Sequence, residues 1–259
     1  MFSKLGLQFY TVRDYMKDEK SINETFEKLV EIGYTEGQTA GQRSEEFAKL
    51  AKKHGISIVG THIGYEEIVN DINGTIKLHE MLGTKNIGIG GMPADARRDY
   101  DALMRFIEGY NKAAAVYAKD GYKLTYHNHS FEFVRIKGEK TLMDIMVEDF
   151  DKDNISFVLD TCWVANAGGD VRHWLEKLAG RVDILHLKDI KPVYVDDTFW
   201  VQPKLCEVGE GSIWWDGVLE TAERTGVKHY VVEQDERWID NDPFKSLAIS
   251  KKNLEKYMK

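Results

Sequence analysis

Cysteine is scarce in this chain of 259 residues: there are two, Cys162 and Cys206, without the spacing of a CxxC pair. Two cysteines exclude a disulfide framework and a cysteine-built structural zinc site, and they fit a reducing compartment. Basic clusters are missing too. Asp and Glu outnumber Lys and Arg by 43 to 35, a formal net charge of −8, and the longest Lys/Arg run is Lys251-Lys252. That balance repels phosphate backbones and argues against a nucleic-acid partner. No apolar run reaches membrane-spanning length and no signal-peptide layout follows Met1, so a cytoplasmic protein without a membrane partner is expected. A dinucleotide fingerprint is absent as well. The chain after the first apolar run reads Gln8-Phe9-Tyr10-Thr11-Val12-Arg13, and Gly88-Ile89-Gly90-Gly91 lacks GxGxxG spacing.

What is present is alternation. Apolar runs of strand length recur at Leu5–Tyr10, Tyr34–Thr39, Ile56–His62, Asn86–Gly90, Lys123–His127, Ser156–Asp160, Val182–Lys188 and His229–Glu233. Amphipathic stretches lie between them, such as Ile22–Ile32, opened by the capping-box pattern Ser21-x-x-Glu24, and Glu45–His54. Gly33, Gly55, Gly83, Gly121, Gly180 and Gly226 stand where a helix gives way to a strand, and Asn154 takes that place before Ser156. Glycine, and next asparagine, supplies the left-handed residue that ends a helix. Such alternation demands a parallel sheet with crossover helices. Eight units in one domain-length chain favour closure, so the expected fold is a single α/β domain over 1–259, a (β/α)8 TIM barrel. The long stretch Ile190–Trp215, rich in Pro, Asp, Trp and Gly, reads as an irregular lid, a substrate-binding loop or an oligomer contact.

Barrel enzymes carry their chemistry at the C-terminal ends of strands. Those positions here are Gln8, Gln38, His62, His127, Asp160, His186 and Glu233. Asp, Glu and His drawn from several strands are a ligand set for Mn, Co, Zn or Mg. Plainer roles exist for each residue. Asp160 suits a helix cap, a lone histidine suits a structural hydrogen bond, and Lys188 suits a salt bridge with Asp189 or Glu233. Glu233 is harder to account for structurally, because it follows the buried-type run Tyr230-Val231-Val232. Phe9, Tyr10, Trp163, Trp200, Trp214 and Trp215 can stack on a sugar ring or simply fill the core.

The sequence resembles the sugar phosphate isomerase/epimerase superfamily, the xylose isomerase-like TIM barrels, over nearly its whole length. The resemblance rests on Leu7-Gln8-Phe9-Tyr10-Thr11-Val12-Arg13-Asp14, Tyr126-His127-Asn128-His129-Ser130-Phe131-Glu132-Phe133, Leu159-Asp160-Thr161-Cys162-Trp163, His186-Leu187-Lys188-Asp189 and Val232-Glu233-Gln234-Asp235, with Gly168-Gly169-Asp170 and Gly209-Glu210-Gly211. It implies a divalent metal held by strands five to eight, with Asp160, His186 and Glu233 supplying three ligands. Many relatives carry a glutamate at the end of strand five; here either His127 or Glu132 is the fourth ligand. Gly37-Gln38-Thr39 also departs from the Val-Glu-Leu-like stretch of relatives, and Gln38 cannot act as a base, so how far the family's paired-glutamate epimerisation carries over depends on whether His127 or Glu132 is the fourth ligand.

The expected chemistry is proton abstraction beside a carbonyl of a sugar, keto-sugar or polyol. Glu233 and His129 are the candidate bases, with Glu132 behind them, Lys188 the group that neutralises the oxyanion, and Gln8, Gln38, His62 and Trp163 the substrate contacts. Three readings compete with isomerisation or epimerisation: an inosose dehydratase-like or keto-sugar lyase reaction, phosphodiester cleavage, which the acidic charge disfavours, and a barrel that binds a sugar or polyol without turning it over. A homo-oligomer is compatible with the Trp-rich stretch.

Overall fold

The structure, a computed structural model, describes every residue except Met1 and Asp197. Eight parallel strands form one sheet: β1 (Gly6–Gln8), β2 (Glu36–Ala40), β3 (Ser57–His62), β4 (Asn86–Ile89), β5 (Lys123–His127), β6 (Ile155–Asp160), β7 (Val182–Leu187) and β8 (His229–Val232). Their order, β3-β2-β1-β8-β7-β6-β5-β4, brings the first strand beside the last. The remaining gap, between β3 and β4, is nearly closed. A parallel bridge joins Ile63 to Ile89, the Ile63 amide donates to the Gly88 carbonyl, and Asn86 Nδ2 donates to Val59 O. Helices cross between successive strands. The chain is a nearly closed (β/α)8 TIM barrel.

The barrel has two apolar layers. Outward-facing residues such as Leu124, Phe157, Leu185 and Val232 join the large core under the helices, while Val59, Val158, Ile184 and Val231 form a separate plug inside the barrel. Strand side chains alternate with period two, so the residue two places beyond each plug residue also faces inward. Val158 therefore puts Asp160 inside, Ile184 puts His186 there, and Val231 puts Glu233 there. The plug fills the lumen and leaves the polar residues at its C-terminal mouth.

Local details differ from the sequence reading in three places. The first long helix runs Glu19–Ile32, and its capping box is Asp18 with Ser21, one turn earlier than Ser21 with Glu24; each side chain accepts from the other's amide. All six junction glycines have positive φ, but Asn154 does not. There the Asp151 carboxylate closes the turn by accepting from the Asp153 and Asn154 amides, so no left-handed residue is needed. Finally, Ile190–Trp215 is not irregular throughout. Asp189–Tyr194 pairs antiparallel with Val201–Cys206 in a hairpin that leaves the barrel mouth directly after β7. Its end carries exposed Tyr194, Phe199 and Trp200.

Candidate metal centre

Inside the mouth, His127, Asp160, His186 and Glu233 each offer one ligand atom, and these four atoms lie within 4.8 Å of one another. All four residues are buried. His127 Nε2 is 3.4 Å from Asp160 Oδ2, and His186 Nδ1 is 3.7 Å from Asp160 Oδ2 and 3.1 Å from Glu233 Oε2. The far sides of His127, Asp160 and His186 are held. His127 Nδ1 lies 3.3 Å from the Gly90 carbonyl, which fixes Nδ1 as the donor and turns the Nε2 lone pair toward Asp160. Asp160 Oδ1 accepts from the Trp163 amide, so the helix-cap bond occupies one oxygen and leaves Oδ2 facing the two imidazoles.

Gln38 completes this shell. Its Oε1 lies 2.6 Å from His186 Nε2 and accepts a second bond, 3.0 Å, from Gln8 Nε2. The Gln8 amide is itself oriented, because its Oε1 accepts from the Tyr10 amide. An acceptor at His186 Nε2 makes that nitrogen the donor and aims Nδ1 at the two carboxylates. Gln8 Nε2 also lies 3.3 Å from His62 Nδ1. Gln8 and Gln38 therefore orient imidazoles, which the sequence reading assigned to substrate contact. Gly37 is required beside them: the Phe9 ring lies where a Cβ would stand, 2.1 Å from its Cζ.

Lys188 is buried and lies 3.0 Å from Glu233 Oε2, 2.7 Å from Asp235 Oδ2 and 3.8 Å from Asp160 Oδ2, with its Nζ over the Trp163 ring at 4.7 Å. Its ion pair is with Glu233 and Asp235. Asp189 instead accepts from the Gly209 and Gly211 amides and from Trp215 Nε1, anchoring the chain beyond the hairpin. Burial disfavours the Lys188 charge, but Glu233, Asp160 and Asp235 outweigh it and hold the pKa above the lysine range. Burial likewise opposes charge on His186, yet Glu233 and Asp160 raise its pKa to about 9. Burial works against ionised Asp160 and Glu233 as well. The cations beside them, Lys188 first, keep both carboxyls ionised, well below their ordinary range.

Glu132 lies apart from the group. Its oxygens accept from Tyr126 Oη at 2.6 Å and from the His129 amide at 2.8 Å, so it braces the turn after β5. Burial raises its pKa to about 8. Of the two alternatives for the fourth position, the structure brings His127 to the group and leaves Glu132 out of it. Burial, then His127, lowers the His129 pKa to about 3, so its imidazole is neutral. His62 is also neutral, its pKa depressed by burial and by His127 and His186. Among the aromatics, Phe9 is core packing against Phe26 and Phe47, and Trp200 and Trp214 are exposed.

The mouth holds buried polar atoms with no hydrogen-bond partner: His62 Nε2, His129 Nδ1, Trp163 Nε1, Gln38 Nε2 and Asp235 Oδ1. Buried polar groups are normally satisfied, so a concentration of orphans marks a place where something binds. Two carboxylates and two imidazole nitrogens are the donor set of a divalent cation, and the residues present fit one. Asp235 is the residue that sequence reasoning passed over, quoting it only within a motif. The signal was available: two places beyond Glu233, the same alternation points it at the same mouth.

The family model "Xylose isomerase-like TIM barrel" matches residues 26–256. An inosose dehydratase from Geobacillus thermodenitrificans is 26% identical over 154 residues, covering 56% of this chain and 50% of that protein. The chain thus spans about half the length, or less, of the curated relatives it matches. Among solved structures, a sugar phosphate isomerase/epimerase from Parabacteroides distasonis superposes with a TM-score of 0.81 at 21% identity, covering 98% of this chain and 94% of that one. A D-psicose 3-epimerase from Clostridium cellulolyticum, solved with D-tagatose, gives 0.69 at 16% identity over 98% and 99%. At those identities the superpositions establish the fold alone. Among the described residues no helix is long and apolar enough to cross a membrane.

Proposed function

The chain belongs to the xylose isomerase-like TIM-barrel family, and on that premise we propose that it is a divalent-metal-dependent enzyme that enolises a sugar, keto-sugar or related polyol beside its carbonyl. The observation that carries this reading is the buried group His127, Asp160, His186 and Glu233, with ligand atoms within 4.8 Å and each imidazole fixed from behind. Mn, Co, Zn and Mg all suit such nitrogen and oxygen donors. A divalent ion held there supplies Lewis acidity toward a carbonyl and the hydroxyl beside it.

The chain's own groups do the rest. Lys188 holds a positive charge beside the ligands, where it stabilises negative charge growing on a substrate oxygen. Asp235 has one oxygen tied to Lys188 and leaves Oδ1 buried without a partner. We assign it the α-proton, alongside the earlier candidates Glu233 and His129; Glu233 doubles as a ligand, and His129 touches the group through its edge contact with His127 at 4.7 Å. His62, whose Nδ1 faces Gln8, presents Nε2 to a substrate hydroxyl, and Trp163 offers its ring and unpaired Nε1. The abstracted proton returns to the opposite face in epimerisation, or to the neighbouring carbon in isomerisation.

Dehydration is the second reading, favoured by the inosose dehydratase relatives. It begins with the same proton abstraction and adds loss of a β-hydroxyl, for which protonated Lys188 is the available donor. The test is a panel of keto-sugars and inososes offered with Mn²⁺, Co²⁺, Zn²⁺ or Mg²⁺ in deuterated water. Deuterium at the α-carbon that requires metal and disappears in His186→Gln supports the proposal. Metal bound without exchange on any compound points instead to a sugar- or polyol-binding barrel, and no bound metal removes both enzymatic readings.

A further inference from the structure

A cleft of about 580 Å³ opens next to the metal centre, over the ends of β3, β4 and β5. Its walls mix polar and apolar surface, the apolar part supplied by Ile63, Ile89, Met92 and Phe131, and His129 lies at the side nearest the metal ligands. Arg97 supplies the one charged side chain among the described residues that line it. The guanidinium lies over the Phe131 ring, 4.0 Å from its centroid; Phe131 stacks on His129 at 5.5 Å, and His129 meets the ligand His127 at 4.7 Å. An unbroken series of contacts therefore leads from Arg97 to the metal group. Gly91 keeps the passage open: at φ +147° it has no side chain, and a Cβ there would stand 3.3 Å from His129 Cε1.

Arg97 is exposed at the rim of the cleft, and among the described residues it has no hydrogen-bond acceptor and no carboxylate within ion-pair distance. The nearby buried carboxyl, Glu132, is committed to Tyr126 and the His129 amide. Stacking leaves the edge of the guanidinium free, and that edge matches the two oxygens of a carboxylate in a bidentate pair. A phosphate dianion calls for more donors than one arginine, and no lysine or second arginine lines the cleft. We infer that the molecule bound at this centre carries a carboxylate on the end remote from the metal-binding group, recognised by Arg97: a sugar acid or a carbocyclic hydroxy acid. This rests on the proposed reading that the four-ligand group holds the substrate's other end.

The test is calorimetric binding to the Mn²⁺-loaded protein of matched probes: D-glucose, D-glucuronate and D-glucose 6-phosphate, which differ at carbon 6, and myo-inositol against quinate. We expect at least one acid to bind about tenfold or more tighter than its neutral counterpart and than the phosphate. Arg97→Met should erase that advantage without changing neutral-probe binding, and Arg97→Lys should restore only part of it. Acids that bind no better than neutral probes, a preference for the phosphate, or an acid preference that survives Arg97→Met overturns the inference. Binding is read without turnover, so a failure of the enolisation reading shows separately, as absence of deuterium exchange.

Discussion

The two ends of the barrel each bury charged groups, and they treat them differently. At the N-terminal end, Asp183 accepts from Ser156 Oγ at 2.8 Å and from Lys228 Nζ at 3.1 Å, with Lys123 at 3.9 Å, and Glu36 meets His229 at 3.0 Å and Lys4 at 3.8 Å. Arg181 and Tyr122 leave donors unmatched there, but each of these two carboxylates has a cation or imidazole at hand. At the C-terminal mouth, imidazole, indole, amide and carboxylate atoms are left without partners around four convergent ligands. Charges paired with each other close a barrel, whereas converging charges with unspent bonding capacity hold something else. The comparison turns a general rule about barrel ends into a statement about particular atoms.

Exchanging carboxylate for amide at the two ends should separate the roles most sharply. Asp160→Asn keeps the cap oxygen for Trp163 but removes a ligand, so divalent-metal binding and α-proton exchange should fall by about a thousandfold or more. Asp183→Asn should leave metal binding intact and lower stability by about 1–3 kcal/mol in chemical denaturation, because its lysines lose their partner. Effects of equal kind at both ends would break the comparison. Next in size, Lys188→Met should slow exchange by about a hundred- to a thousandfold while metal content, read by elemental analysis, stays at the wild-type level.

Gln38→Leu tests the support behind His186. Loss of the acceptor at Nε2 should weaken Mn²⁺ binding by about ten- to a hundredfold in a titration, with the fold retained. The smallest expected effect concerns Glu132. Its folded pKa of about 8 lies above the ordinary value of 4.5, so the folded chain keeps a proton that the unfolded chain has already released. The stability this group contributes is full below pH 4.5, declines as pH rises to about 8, and is level beyond. The stability of the wild type relative to Glu132→Gln should therefore fall across that window by on the order of a few kcal/mol, measured by denaturant unfolding at several pH values. A flat difference would show that Glu132 is ionised throughout.

Much of this architecture was legible because it depends on local rules. Apolar runs gave the eight strands, and glycines with positive φ marked six of the seven junctions. Strand ends pointed to His127, Asp160, His186 and Glu233, because period-two alternation carries each inward-facing run to its mouth. The hairpin after β7 was hidden since Asp189–Tyr194 and Val201–Cys206 are partly exposed and interrupted by Pro192 and Pro203, which breaks the apolar signal of a strand. Gln38 was legible as a mouth residue but not as the partner of His186, a contact across 148 positions of sequence. Spacing alone left His127 and Glu132 as alternatives; the Tyr126 hydroxyl and the His129 amide, which capture Glu132, separate them only in three dimensions.

The most direct test of the central claim is metal stoichiometry. Protein stripped by chelator and titrated with Mn²⁺ should take up one ion per chain, lose that uptake in His186→Gln, and keep it in Glu132→Gln. No uptake by the unaltered chain, uptake that survives His186→Gln, or uptake abolished by Glu132→Gln would contradict the assignment of the mouth of the barrel as a metal centre built on His127, Asp160, His186 and Glu233.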